Sequence, residues 1–320
     1  MTYKQNRSHR PWKIVAGCCC IQGSVLGLLV NCRGLFFEPV CADLGFNIGG
    51  FTAYGLFYGL ACVIAIPTAA KVLERYDLRV TLTLSSVFMA LVQALFGSFT
   101  RQWHWYAAAL QGMASAFLFS LTTPLLINNW FTQKRGMMLA ITGMSSGAVA
   151  AIMNPIGSMV IEQLGWRAGY RFFGLLFLLM TLPATIFWLR LRPKTAEPPS
   201  GGSRLSGFQG NVWRTIRQPG FLLLIVITGV ANLLTCCSQM LSSYGTAIGL
   251  TASACAMLLS LSMVGNVLLK LLLCAIHDLA NALTAVMVGI GLLSLGFLLM
   301  LTNGRGIMLS IASFLMGTPM

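Results

Sequence analysis

Between Asn128 and Tyr170 the chain reads NNWFTQKRGMMLAITGMSSGAVAAIMNPIGSMVIEQLGWRAGY. A polar, basic link (Thr132, Gln133, Lys134, Arg135) precedes about 26 mostly apolar residues, and a second polar link carries Glu162 and Arg167. An apolar run of that length crosses the ~30 Å core of a bilayer as a single helix, the only open-chain structure that satisfies its own backbone in lipid. Runs of this kind recur along the chain. They predict spans α1 (12–37), α2 (49–70), α3 (80–100), α4 (104–128), α5 (136–161), α6 (168–191), α7 (219–242), α8 (251–276) and α9 (279–302), and a shorter run, α10, from 306 onward. The fold class is all-α, polytopic and membrane-embedded.

Charge supports the count. Only 9% of the 320 residues are charged, against about 25% in soluble domains, and the net charge of +14 is gathered in the links. Of the 21 Lys and Arg, 15 fall on one side of the zigzag, including Lys4, Arg7, Arg10, Lys13 and Lys71; four (Arg101, Arg167, Arg171, Arg305) fall on the other. Under the positive-inside rule the richer side is cytoplasmic, so the N-terminal tail 1–11 is cytoplasmic. The run after Lys13 is longer than a signal-peptide core and lacks a small-x-small cleavage site, so α1 is expected to be retained. Basic residues confined to membrane links exclude nucleic acid as the partner and leave the lipid bilayer. The expected compartment is a bacterial inner (plasma) membrane.

The longest polar segment, 192–218, is rich in Pro, Gly, Ser and Arg, as a flexible linker is. It separates a six-helix bundle (12–191) from a partial second bundle (219–320). A shift of about 204 residues lays α1 on α7, α2 on α8 and α4 on α10, the parallel repeat of many transporters. On that repeat a complete second bundle ends near position 395, so about 75 further residues are expected to finish α10 and add two helices.

The ten cysteines make no metal site or disulfide framework: Cys18, Cys19 and Cys20 point about 100° apart around a helix. Only Cys41 is expected in a loop. Phosphate-loop, zinc-ligand and paired-carboxylate patterns are all missing, so neither an enzyme, a cofactor nor a nucleotide-driven pump is expected.

Six spans, a basic linker and further spans resemble the major facilitator superfamily, and local motifs agree. The α2–α3 link AKVLERYDLRV is similar to that family's Gly-x-x-x-Asp-Arg-x-Gly-Arg-Arg signature, with Ala70, Glu74, Arg75, Asp77, Leu78 and Arg79 in the corresponding places. Asp77 stands where the pattern has a turn glycine and is expected to take the left-handed conformation. The stretches NNWFTQKRGMMLAI, NPIGSMV, LGWRAGY, NCRGLFFEPVCADLGF and GNVLLKLLLCAIHD are similar to the branch of monocarboxylate porters and oxalate/formate antiporters. In α4, Gln111-Gly112 is present but Ala107, Ala108 and Ala109 stand where many members have an arginine. The resemblance implies two six-helix bundles, alternating access and a small organic anion as substrate, with protons or a counter-anion as coupling partner. A drug or sugar porter, or a truncated membrane receptor that does not transport, are the alternatives.

Two cations lie inside apolar runs, where insertion costs about 2.5–3.5 kcal/mol at a helix centre. Lys270 in α8 is four residues past Asn266, itself four past Ser262, so the three share a face. Either Lys270 holds an anion, as the resemblance to the porters implies for a cation in this helix, or it snorkels to the interface. Arg33, near the outer end of α1, either binds an anion through its guanidinium fork, snorkels to the interface, or pairs with Glu38 or Asp43. Asn154 and Gln111 are candidate cavity groups, alongside Thr122, Thr123, Asn128, Asn232 and Gln239. Glu74, Arg75, Arg79 and Asp278 are gate candidates at inner helix ends. Gly143 and Gly147, four apart, predict a close helix seam, and Pro155 a break in the α5 hydrogen-bond ladder.

Overall fold

The computed structural model describes residues 10–131, 135–189, 222, 238–301 and 306–318. The linker 192–218, most of α7 and Asn232 lie outside them. Among the described residues, seven helical stretches are long and apolar enough to cross a membrane. One of them, Arg135–Trp188, has 54 residues and contains two spans. Within Arg135–Pro183 the only non-helical backbone is at Gly165 (φ 82, ψ 162), so α5 runs over 135–164 and α6 over 166–188. The expected polar link 162–167 is therefore a one-residue turn. Glycine is the residue that meets a positive φ there without a Cβ penalty.

Three further boundaries differ from expectation. α1 spans Pro11–Leu44 and runs past Phe37 to Gly45, which ends it in the left-handed conformation with its N–H bonded to the Cys41 carbonyl. The stop is a C-terminal glycine and not Pro39, which the helix accommodates. Cys41 consequently lies on a helix and is buried, not in a loop. Asp77 has φ −63 and ψ 125, outside the left-handed region; its carboxylate caps α3 (Leu78–Phe96) by accepting from the Arg79 N–H at 3.0 Å. α5 keeps helical φ/ψ through Asn154-Pro155, so the expected break there costs one backbone donor without turning the chain.

The remaining helices are α2 (Tyr54–Arg75), α4 (Gln102–Trp130), α7, described over Leu241–Ala247, α8 (Ala252–Leu279), α9 (Ala282–Leu301) and α10 (Ile307–Met316). Winding is uneven in α1, α4 and α6. α1 is π-wound over Gly23–Asn31, α4 over Ala116–Ser120 and α6 over Ala184–Trp188. The helix faces sort by solvent: along α3, Val80, Leu84, Phe88, Leu91 and Leu95 form an exposed apolar stripe, while Leu82, Ser86, Met89, Gln93 and Phe96 are buried. An outward apolar face with small and polar groups inside is the pattern of a helix whose solvent is lipid.

The chain divides into two compact units: residues 1–29, 49–146 and 170–196, and residues 30–48, 147–169 and 197–320. The first is centred on Trp105, which stacks on Phe96 (4.7 Å, 7°) and meets Phe51, Phe99 and Tyr170 edge-on. In it Arg79 Nε donates to the Leu189 carbonyl at 3.2 Å, tying the α2–α3 link to the end of α6. In the second unit, Ser313 Oγ donates to the Leu258 carbonyl at 2.5 Å, joining α10 to α8.

Glycine contacts expose the repeat. A Cβ at Gly112 would overlap the Tyr58 carbonyl in the first unit; a Cβ at Gly317 would overlap the Ser262 carbonyl in the second. Tyr58 and Ser262 are 204 positions apart, Gly112 and Gly317 are 205. The α2–α4 and α8–α10 crossings thus use the same register of backbone contact in both halves of the chain.

Candidate functional site

The residues named from sequence separate between the units. Gln111 lies in the first; Arg33, Asn154, Asn266 and Lys270 lie in the second.

In the second unit the α5–α8 seam is drawn tight by Gly147. A Cβ there would stand 2.9 Å from a Val267 methyl, 3.1 Å from the Met263 carbonyl and 3.3 Å from Asn266 Oδ1. Gly143, in the first unit, is half-buried, with its carbonyl accepting from Ser146 Oγ at 2.8 Å. On its other side the Asn266 backbone nitrogen is 2.9 Å from the Cβ position of Gly317, so Asn266 sits between α5 and α10. Ser262, one turn before it, is fully buried, and Lys270, one turn after, is half-buried. Asn154 is two turns along α5 from Gly147, hence on nearly the same face. Its side chain is completely buried, and neither amide atom has a hydrogen-bond partner among the described residues. The Ser262 hydroxyl is in the same position. Leaving such groups unpaired costs about 1–3 kcal/mol each, so they suit a ligand or bound water rather than a sealed core.

Arg33 is half-buried at the turn that follows the π-wound part of α1, with eleven helical residues beyond it. It is therefore deeper in the helix than the end-of-span position expected from the sequence. In the first unit, Gln111 is 2% exposed, and among the described residues neither its Oε1 nor the buried Thr123 hydroxyl has a hydrogen-bond partner. Gln22, not singled out from the sequence, has a buried Oε1 with no hydrogen-bond partner among the described residues, at the junction where α1 passes into π winding. The signal was a lone Gln beside Gly23-Ser24 inside an apolar run.

Of the gate candidates, Arg75 is exposed at the end of α2 and Arg79 holds the Leu189 carbonyl. Glu74 and Asp278 lie on α2 and α8, but their side chains are outside the described ones. Among the described residues no three His, Cys, Asp or Glu side chains gather as metal ligands. The second unit also holds an apolar cavity of about 510 Å³, lined by Met240, Tyr244, Phe297, Met300 and Met316 among others.

Asn154→Leu separates ligand chemistry from folding. The substitution conserves approximate volume and deletes a buried unpaired amide, so thermal stability should hold or rise by about 1 kcal/mol. Ligand affinity, read by titration of the same sample, should fall; a stability loss with unchanged affinity would make Asn154 a structural residue.

The profile of the Major Facilitator Superfamily matches residues 20–320. Monocarboxylate transporter 4 of Rattus norvegicus is 23% identical over 232 residues, covering 68% of this chain and 47% of the relative. The putative glycerol-3-phosphate transporter 2 of Arabidopsis thaliana is 32% identical over 143 residues, covering 41% of this chain and 27% of the relative. The chain thus spans about half or less of the length of these relatives. Among solved structures, the nucleoside transporter NupG superposes with a TM-score of 0.72 at 12% identity, covering 97% of this chain and 79% of that one. Seven bilayer-length apolar helices among the described residues, an α2–α4 crossing repeated at α8–α10 and a match to the family over nearly the whole chain agree: the chain is an integral membrane protein and belongs to the Major Facilitator Superfamily.

Proposed function

We propose that the protein is a secondary transporter of small organic anions, working by alternating access as a uniporter, a proton symporter or an anion exchanger. The observation that carries this is Lys270, a cation half-buried inside an apolar span, on the α8 face that also presents Asn266 and Ser262. A cation placed there costs insertion energy that an anionic ligand offsets. The relatives' names agree in charge: a monocarboxylate and glycerol 3-phosphate are both small anions. Arg33, Asn154 and Gln111 are assigned to substrate contacts in this reading, and Glu74, Arg75, Arg79 and Asp278 to the inner gate. The charge asymmetry supports a cytoplasmic N-terminus, with the protein in a bacterial plasma membrane.

The test is uptake by proteoliposomes challenged in parallel with labelled monocarboxylates, oxalate, a phosphate monoester, a sugar and a nucleoside. Saturable entry of one or more anions, with cross-inhibition among them, is expected. Entry of the neutral solutes alone would replace this reading with a sugar- or nucleoside-type porter, and binding without entry would replace it with a receptor.

A further inference from the structure

At the Leu44 end of α1, the second unit contains a cluster that the transport reading does not use. Asp43 Oδ2 accepts from Arg167 Nη1 at 2.6 Å and from Trp166 Nε1 at 3.1 Å. The Arg167 guanidinium carbon also lies 4.3 Å from the centroid of the Trp166 ring. One carboxylate oxygen therefore holds both residues that follow the Gly165 turn, across 123 and 124 positions of sequence. Beneath it the packing is close: a Cβ at Gly169 would stand 3.0 Å from the Phe36 ring and 2.9 Å from Ile161.

The same stretch of α1 is held from a second side. Thr246 Oγ1 donates to Glu38 Oε2 at 3.5 Å, and a Cβ at Gly34 would stand 2.6 Å from the Gln239 carbonyl. Toward its other end α1 is built differently. Gly23–Asn31 is π-wound, Cys32 and Arg33 form a turn, and the boundary between the two compact units falls between Leu29 and Val30. π winding places one more residue per turn than α winding and converts to it by a register shift, a feature recurrent at functional positions of helices.

We propose that Asp43 is a clasp: it fixes residues 34–44 of α1 to the α5–α6 turn as one body, and the π-wound stretch Gly23–Asn31 is where α1 flexes against that body. An isolated exposed ion pair couples little. This one combines a charge-assisted hydrogen bond, an indole donor and a cation–π contact on one side-chain pair, flanked by glycine-tight packing. The assignment does not depend on what the protein carries.

Hydrogen–deuterium exchange on the protein in lipid nanodiscs, without substrate, tests it. Asp43→Asn and Arg167→Gln should each raise amide exchange about five-fold in both residues 34–47 and residues 160–170. The double variant should exceed neither single one, because both remove the same contact. A rise confined to the segment carrying the substitution, additive rises, or no rise would each overturn the clasp. Trp166→Phe removes the indole donor while keeping an aromatic face, and leaves every charge in place, so it serves where a charge variant fails to insert. It should raise exchange about two-fold in both segments; an effect at residues 160–170 alone overturns the proposal.

Discussion

Gly265→Leu should abolish recovery of folded, monodisperse protein. A Cβ at position 265 would overlap the Phe314 carbonyl, and the Cβ position of Gly317 overlaps the Ser262 carbonyl, so α8 and α10 meet backbone to backbone at two points. The obstructing atoms are helix carbonyls, which cannot rotate away as the end of a flexible side chain can. In lipid, the exchange of lipid contacts for helix contacts supplies little general driving force, and close packing of small residues holds helices together. Forcing the pair apart should cost at least ~3 kcal/mol, the upper part of the range for overpacked sites, and even Gly265→Ala should lower the unfolding temperature. Gly291→Leu is the matched control: position 291 of α9 is exposed, and nothing stands within 4 Å of its Cβ position. Size-exclusion profiles and thermal unfolding of the three variants check this, and equal recovery of Gly265→Leu and Gly291→Leu would contradict the crossing.

Lys270→Ala should weaken apparent affinity for a transported anion about 10- to 100-fold, the equivalent of losing a hydrogen bond to a charged group at about 1.5–3 kcal/mol. Folding should be untouched or slightly improved, since a cation leaves the apolar span. Lys270→Arg keeps charge but replaces a point ammonium with a planar fork, so affinity should fall less than with alanine. If the ammonium only snorkels to the interface, all three proteins will bind alike. Competition of unlabelled anion against labelled anion in detergent, at several ionic strengths, gives the affinity and its charge dependence.

How much was legible follows from what each feature depends on. Span positions depend on apolar length, which is a property of the run itself, so α1 to α6, α8 and α9 lie where the sequence places them. Helix ends depend on single residues. Gly45 and Gly165 terminate helices by accepting positive φ, whereas Pro155, read as a break, and Pro39 sit inside helices whose neighbours tolerate one missing donor. Asp77 was read through a glycine it replaces, yet it works as a cap because its carboxylate reaches the Arg79 N–H. The 204-residue repeat was legible in the layout, and the paired crossings at Gly112 and Gly317 place it in backbone geometry. Uneven winding in α1, α4 and α6 was not legible, because the choice between α and π registers is made by tertiary packing around a helix. The Asp43–Trp166–Arg167 group was out of reach for a related reason: its members are ordinary loop-flanking residues until the fold brings positions 43 and 167 to 2.6 Å.

Passage of an organic anion across the membrane by way of a site containing Lys270 is open to direct measurement. Its most direct test is exchange in proteoliposomes preloaded with an unlabelled monocarboxylate, following entry of the labelled compound for the native protein and Lys270→Ala side by side. Saturable entry is expected in the native protein and at least a ten-fold lower rate at subsaturating substrate in the variant, with equal amounts of each inserted. Equal rates in the two proteins, or entry of a nucleoside or sugar but no anion, would contradict it.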